Sequence, residues 1–353
     1  MKLYSNVSFI FIIWAAAVFT IFYFGFSLFP HSGSFERDFM KSLANWDGGH
    51  FLGIAKFGYS ENFQYAFFPL YPILINLVSK ITGSFLAAGI LISIVTTFLT
   101  VNLLYQLVSM EFSKEYAKKA VLAFLLFPTS FYLLTVYTES LFLLLAIATF
   151  FFARKNKIFI ATITAALASG TRLAGLAVVL GLFIYVYQRG GLNRKNWFVI
   201  FASLGFILYS FYLYQHTGDP FYFVQAESNW QREMVVPGLA FVESFKKLTI
   251  PGFIAQNFNI FLDFVFAVFG IGIIWKIFRK LSIDYAIFAL VSFMLPLFSP
   301  TLAALPRYML TIFPIFLVLS FYKNKYLVFA YQIFATLFLA GFAILFISGY
   351  WVS

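Results

Sequence analysis

Six long apolar runs limit what this chain can become. They extend from Val7 to Phe29, Phe85 to Met110, Ala120 to Ala153, Trp197 to Tyr214, Phe258 to Ile277 and Tyr326 to Tyr350. Each is near or above the roughly 20 residues that a bilayer-spanning helix needs. Hydrophobic residues make up 62% of the 353 and charged residues only 10%, more apolar surface than one soluble core could hide. No stretch between the runs is long enough for a water-soluble domain. The expected fold is therefore all-α, a polytopic integral membrane protein forming one domain over residues 1–353. The first run reads as a retained helix and not a signal peptide, because Phe24, Phe26, Leu28 and Phe29 crowd the place where small residues would mark cleavage.

The formal charge of +11 raises the question of a nucleic-acid partner, which the positions of the charges answer. Basic residues gather at Lys114, Lys118 and Lys119; at Arg154, Lys155 and Lys157; at Arg189, Arg194 and Lys195; at Lys276, Arg279 and Lys280; and at Lys323 and Lys325. Each cluster ends an apolar run, as cytoplasmic loops do under the positive-inside rule. Charge here marks topology, and no nucleic-acid partner is expected. The absence of cysteine excludes thiol nucleophiles and thiolate metal sites. With three histidines in the chain, no metal site and no firm cofactor are expected; a divalent cation is neither demanded nor excluded.

If the five clusters are cytoplasmic, the runs between them pair into hairpins, with outer turns near Pro128-Thr129-Ser130 and at Gly170-Thr171-Arg172. Parity fails only at the front, where one candidate must not cross. Ala66 to Lys80 is about 15 residues long, and Pro69 and Pro72 would interrupt its helical ladder. It is read as a re-entrant or interfacial segment on the outer face. That leaves about eleven crossings and an outside C-terminus. Residues 30–83 form the first extracytoplasmic loop, with surface-lying helices, and residues 215–257 the second long one. Most acids, including Glu36, Asp38, Asp47, Glu61, Glu139, Asp219, Glu227, Glu233 and Glu243, then lie outside.

The candidate chemistry is sparse. Asp47 lies in a loop before Gly48, Gly49 and the amphipathic stretch His50 to Phe57; it reads either as an N-cap or as a site acid approached closely by substrate across the glycines. His50 reads as a hydrogen-bonding partner or a lipid-phosphate contact. Glu139 starts an apolar helix, where either the helix dipole or a cavity-facing role accounts for a carboxylate. Arg172 and Arg307 are isolated cations at outer turns: they snorkel, or they hold a lipid phosphate through bidentate hydrogen bonds. Gly218-Asp219-Pro220 reads first as a turn, and Trp230-Gln231-Arg232 as an interfacial anchor. No phosphate-cradling glycine loop is present, so an activated substrate should arrive through the lipid.

Several blocks carry a family likeness. Trp46-Asp47, His50-Phe51, Ile54-Ala55, Gly58-Tyr59 and Ala66-Phe67-Phe68-Pro69-Leu70-Tyr71-Pro72 closely resemble the first-loop pattern of the PIG-V family, the GPI second mannosyltransferases and their prokaryotic relatives, within the glycosyltransferase-C superfamily. Phe127-Pro128, Tyr137-Thr138-Glu139-Ser140-Leu141-Phe142, Thr171-Arg172, Gly218-Asp219-Pro220 and Pro306-Arg307-Tyr308 look like later segments in the expected order. Asn45 departs from the pattern, standing where the family often carries a basic residue.

The resemblance implies an inverting glycosyltransferase that takes a hexose, typically mannose, from a polyprenyl-phosphate carrier. The acceptor would be a hydroxyl of a lipid-linked or cell-surface glycan on the extracytoplasmic face. The role of base then falls on Asp47, and donor-phosphate binding on Arg172 and Arg307. Glu139 and His50 would orient the acceptor or Asp47, Trp46, Tyr59 and Tyr71 would stack against sugar rings, and Asp219 and Trp230 complete the acceptor-binding set. The membrane would be the plasma membrane in a prokaryote and that of the endoplasmic reticulum in a eukaryote. Two rival classes remain, a transporter or flippase of lipid-linked sugars and a noncatalytic scaffold subunit.

Overall fold

A computed structural model describes residues 2–230, 232–250, 252 and 257–352; Gln231, in the expected anchor, lies outside them. The described residues form helices joined by short turns, without strands. In chain order they are α1 (Lys2–Leu28), α2 (Phe39–Ser42), α3 (Asp47–Phe57), α4 (Leu70–Thr82), α5 (Phe85–Glu111), α6 (Lys114–Leu125), α7 (Glu139–Arg154), α8 (Ile158–Ser169) and α9 (Gly175–Gln188). There follow α10 (Leu204–Thr217), α11 (Tyr222–Ala226), α12 (Leu239–Leu248), α13 (Phe258–Lys280), α14 (Ile283–Met294), α15 (Leu305–Leu310), α16 (Pro314–Ser320) and α17 (Lys325–Ile347).

Five helices are long and apolar enough to cross a membrane: Val7–Leu28 within α1, α5, Trp197–Thr217 ending in α10, α13 and α17. The remaining crossings expected from the sequence coincide with shorter or broken helices, among them α6, α7, α8, α9, α14 and the α15–α16 pair. At 1.5 Å per residue, the twelve residues of α6 span roughly 18 Å, short of the roughly 30 Å hydrocarbon thickness.

The chain after α6 explains how so short a helix is tolerated. Residues 127–138 are irregular or 3₁₀ and buried throughout. They include the turn expected near Pro128-Thr129-Ser130, which is buried. Their polar groups are satisfied by protein, as depth in a membrane demands: Val136 N–H donates to Leu43 O (3.0 Å), Thr129 Oγ1 to Pro306 O (3.1 Å) and Tyr132 OH to Val352 O (3.0 Å). Residues from the front of the chain, from α15 and from beyond α17 hold this segment.

At the centre stands α7, thirteen of whose sixteen residues are buried, as a helix apolar on all sides must be. Both of its ends carry ions. Glu139 opens it, and roughly 22 Å away along the axis Arg154 closes it, pairing with Glu111 (2.5 Å) and with Asp284. The second cluster joins the ends of α5 and α7 to the start of α14.

Between α1 and α5 the chain forms three short helices, α2, α3 and α4. In α4 the prolines do not break the ladder: Pro69 occupies the N-cap position and Pro72 the third helical residue. There the amides have no intrahelical acceptor, so a missing N–H costs nothing. The helix is thirteen residues long, too short to span. One of its sides is buried through Tyr71 and Ile75, and the other exposes Ile73, Leu77 and Ile81.

Candidate active site

Asp47 is the first residue of α3, and Trp46 takes the N-cap position with φ 59°. The carboxylate therefore does not cap the helix. Its Oδ2 instead accepts from Arg307 Nη1 at 2.6 Å. The backbone ahead of it is anchored in the buried segment and at the end of α17. Tyr137 OH donates to Asn45 O (2.8 Å), Asn45 Nδ2 to Phe346 O (2.9 Å) and Trp46 Nε1 to Tyr350 O (3.3 Å). The neutral amide at position 45 thus has a packing role. Of the two glycines, Gly48 is buried, and a Cβ there would lie 3.2 Å from both Val136 O and Ala44 Cβ. Gly49 is exposed, and a Cβ there would meet only Ala44 O at 3.8 Å.

Arg307 does not snorkel. Its side chain is 7% exposed, with Nε donating to Glu139 Oε1 at 2.6 Å and its guanidinium over the rings of Tyr137 (4.5 Å) and Tyr132 (5.1 Å). The same Oε1 accepts from Arg172 Nη1 at 2.8 Å. Asp47, Arg307, Glu139 and Arg172 thus form one alternating chain of charges. The two arginines expected to be isolated share a carboxylate, and each offsets the cost of burying the other's partner. Glu139 is fully buried, and its link to Asp47 runs through Arg307. Ala304, at the N-cap of the short helix that carries Arg307, has φ 66°. Asp47 and Arg307 are therefore both set up by positive-φ residues that are not glycine, a strain typical of sites over-determined by their surroundings.

The segment after α11 crosses this chain of charges. Trp230 packs edge-on against His50, Phe63 and Phe67 of the first loop. Arg232 donates through Nη1 to Tyr308 OH and through Nη2 to Ala303 O (3.2 Å), and Val235 N–H to Phe298 O (2.8 Å). Half-buried Glu227 feels Asp47, Arg172 and Arg232, and burial holds its carboxyl above the ordinary value. His50 is pushed the other way: burial lowers its pKa, and Asp47 partly restores it.

From the sequence Glu227 was read only as one of the outer acids, Arg232 only as part of an interfacial anchor and Tyr308 only within a family-like block; none was given a site role. The one available signal was the crowding of Glu227, Trp230 and Arg232 into six residues of the loop.

The other expected site residues are placed differently. Trp46 is half-buried between Phe35 and Trp351, both at 5.1 Å. Tyr71 has no face for a sugar: it is fully buried and its hydroxyl meets Gly89 O and Ser93 Oγ. Tyr59 stacks on Tyr65 (5.0 Å) and donates to Phe67 O. Asp219 closes its own turn, Oδ1 accepting from Phe221 N–H and Oδ2 from Gln225 Nε2, both at 2.8 Å. Among the described residues no three His, Cys, Asp or Glu side chains form a group that could hold a metal.

Between α4, α8 and α10 runs an open groove of about 650 Å³. Ile73 and Leu77 of α4, Leu167 of α8, Leu208 of α10, and Tyr59 and Tyr212 are among its lining residues. Gly170 also lines it, two positions before Arg172.

The segment that holds Asp47, Glu139 and Arg172 has a recognised pattern. Residues 27–191 match the family model of the PIG-V mannosyltransferases. The match bears out the resemblance read from the sequence. No curated protein matches the chain. Among solved structures the chain is similar to ArnT from Cupriavidus metallidurans, crystallised bound to undecaprenyl phosphate, with 15% identity and a TM-score of 0.52. The alignment covers 88% of this chain and 59% of ArnT, so the chain spans under two thirds of that protein. At such identity the likeness speaks for a shared fold, which is all-helical in this chain with its long apolar helices.

Proposed function

We propose that the protein is an inverting, polyprenyl-phosphate-sugar-dependent glycosyltransferase working at the extracytoplasmic face, with mannose the hexose that the family match favours. The acceptor is a hydroxyl of a lipid-linked or cell-surface glycan. The acceptor oxygen attacks the anomeric carbon as its proton passes to Asp47. The bond from that carbon to the phosphate oxygen breaks with inversion, and the products are the glycoside and the polyprenyl phosphate. A positioned base of this kind contributes about 100- to 10,000-fold in rate.

Asp47 is suited to the task because it is anchored yet reachable, 19% exposed and fixed at 2.6 Å by Arg307; that ion pair is the observation that carries the reading. Arg307 is engaged at both ends of its guanidinium. Its role is to position Asp47, and the expected phosphate contact passes to Arg172, whose side chain is 13% exposed. A guanidinium there offsets the charge that the phosphate gains as it departs.

The apolar groove beside Arg172 suits an isoprenoid chain. ArnT, similar in fold, was crystallised with a lipid of that class.

The test uses purified protein in nanodiscs, labelled polyprenyl-phosphate mannose, and a glycolipid extract of cells lacking the protein. Wild type should transfer label to one acceptor, and Asp47→Asn should not, while losing only about 1 kcal/mol of stability. Retained turnover in the variant removes Asp47 as base. Donor moved between leaflets unaltered would mark a flippase.

A further inference from the structure

Three guanidinium groups surround Tyr308 and its neighbour, and their partners differ. Arg307 is neutralised by Asp47 and Glu139, and Arg172 shares Glu139. Arg232 has no carboxylate within ion-pairing distance among the described residues: its hydrogen bonds go to a phenol and a backbone carbonyl. It is nonetheless half-buried. Glu227 and Asp47 act on it through space but neither is hydrogen-bonded to it, so its charge is not neutralised by direct contact and it can still meet an incoming anion. Arg232 and Arg172 both stand over the ring of Tyr308, at 5.5 and 5.7 Å. Tyr308 holds the first by its hydroxyl and both by its face.

We propose that Arg232, positioned by Tyr308, binds the donor's phosphate together with Arg172. The inference rests on the donor class proposed above and adds a residue to it. It also gives the segment around Trp230 and Arg232 a purpose, since it brings the third cation to the first-loop acid only when packed on His50 and Tyr308.

Direct binding to purified protein in nanodiscs tests this, with three probes: polyprenyl phosphate, the neutral polyprenol of the same chain length, and phosphatidate. Arg232→Gln should weaken polyprenyl phosphate about tenfold or more, the scale of a lost charged hydrogen bond, and leave polyprenol binding unchanged. Tyr308→Phe keeps the ring and loses the hydroxyl, so a smaller loss confined to the same probe is expected. Arg232→Lys keeps the charge and should fall between wild type and Gln, which serves as the test should the Gln variant fail to fold.

Equal binding of polyprenyl phosphate by wild type, Arg232→Gln and Arg232→Lys overturns the inference and leaves the proposed function standing. Wild type that fails to bind polyprenyl phosphate overturns the donor reading itself. Phosphatidate bound as tightly, and with the same dependence on Arg232, overturns the assignment to the donor in favour of a general lipid-headgroup site.

Discussion

Asp47 and Arg307 lie 260 positions apart in the chain and meet at 2.6 Å, but the two ends of this pair are not equivalent. Arg307 also serves Glu139, which is fully buried with its Oε2 lacking a hydrogen-bond partner among the described residues. Asp47 serves only Arg307 and is partly open. Removing the guanidinium leaves a carboxylate underneath without its main partner, whereas Asp47→Asn keeps an oxygen in place to accept.

Arg307→Gln should therefore destabilise the protein by about 3–5 kcal/mol, the scale for breaking a buried pair from one side, and Asp47→Asn by about 1 kcal/mol. Both should abolish transfer. Thermal unfolding in detergent separates them; equal losses of stability would mean that Glu139 does not depend on Arg307.

The pH dependence of stability should show two opposing groups. Burial lowers the pKa of His50 from 6.5, so between its folded value and 6.5 the unfolded chain binds more protons. Stability from this group is complete above 6.5 and is lost as pH falls through the folded value. Burial raises Glu227 above 4.5, so the folded state holds the extra proton. Its contribution is complete below 4.5 and is lost as pH rises. On acidification from pH 7, His50→Phe should flatten the loss of melting temperature and Glu227→Gln should steepen it. The reverse ordering would show that the environments of the two groups have been misassigned.

The apolar runs made the fold class legible, since segments of that length and hydropathy have few alternatives to helices in a bilayer. The shortness of the segment near Leu70 was legible as well, but not its start: Pro69 and Pro72 open the helix instead of interrupting it. The charge chain was not legible. Arg172 and Arg307 look solitary along the sequence because their shared partner Glu139 lies 33 and 168 positions away. Spacing reports neighbours on one helix, not ions brought together by three. Tyr71 misled in a similar way: an aromatic in a motif carries no mark of whether it faces substrate or core, and here it faces the core.

The paired glycines after Asp47 should respond differently to the same change. In Gly48→Ala the new methyl would press within 3.2 Å of Val136 O and Ala44 Cβ, and either α3 or the buried segment must move, at about 1–3 kcal/mol. Because Asp47 is the preceding residue, transfer should fall with it. Gly49→Ala meets nothing closer than 3.8 Å and, as a glycine in the first turn of α3 replaced by a better helix former, should be neutral or stabilising by up to about 1 kcal/mol. Melting temperatures and turnover measured side by side check the contrast. A harmful Gly49→Ala with a harmless Gly48→Ala would mean that close approach by substrate, and not packing, constrains this turn.

The groove beside Arg172 makes a prediction about chain length that headgroup contacts do not. Leu208 of α10 projects from its wall and is 58% exposed, so Leu208→Trp should occupy space there without disturbing the core. Each methylene kept from burial costs about 0.8 kcal/mol, and displacing two lowers affinity about tenfold. The KM for a long-chain polyprenyl-phosphate sugar should rise accordingly, while a short-chain analogue that ends before the groove should keep its KM, and kcat should hold for both because Asp47 and its partners lie outside the groove's lining. A uniform rise for both donors would instead place the effect at the headgroup, and an unchanged KM for both would mean that the isoprenoid lies elsewhere on the protein.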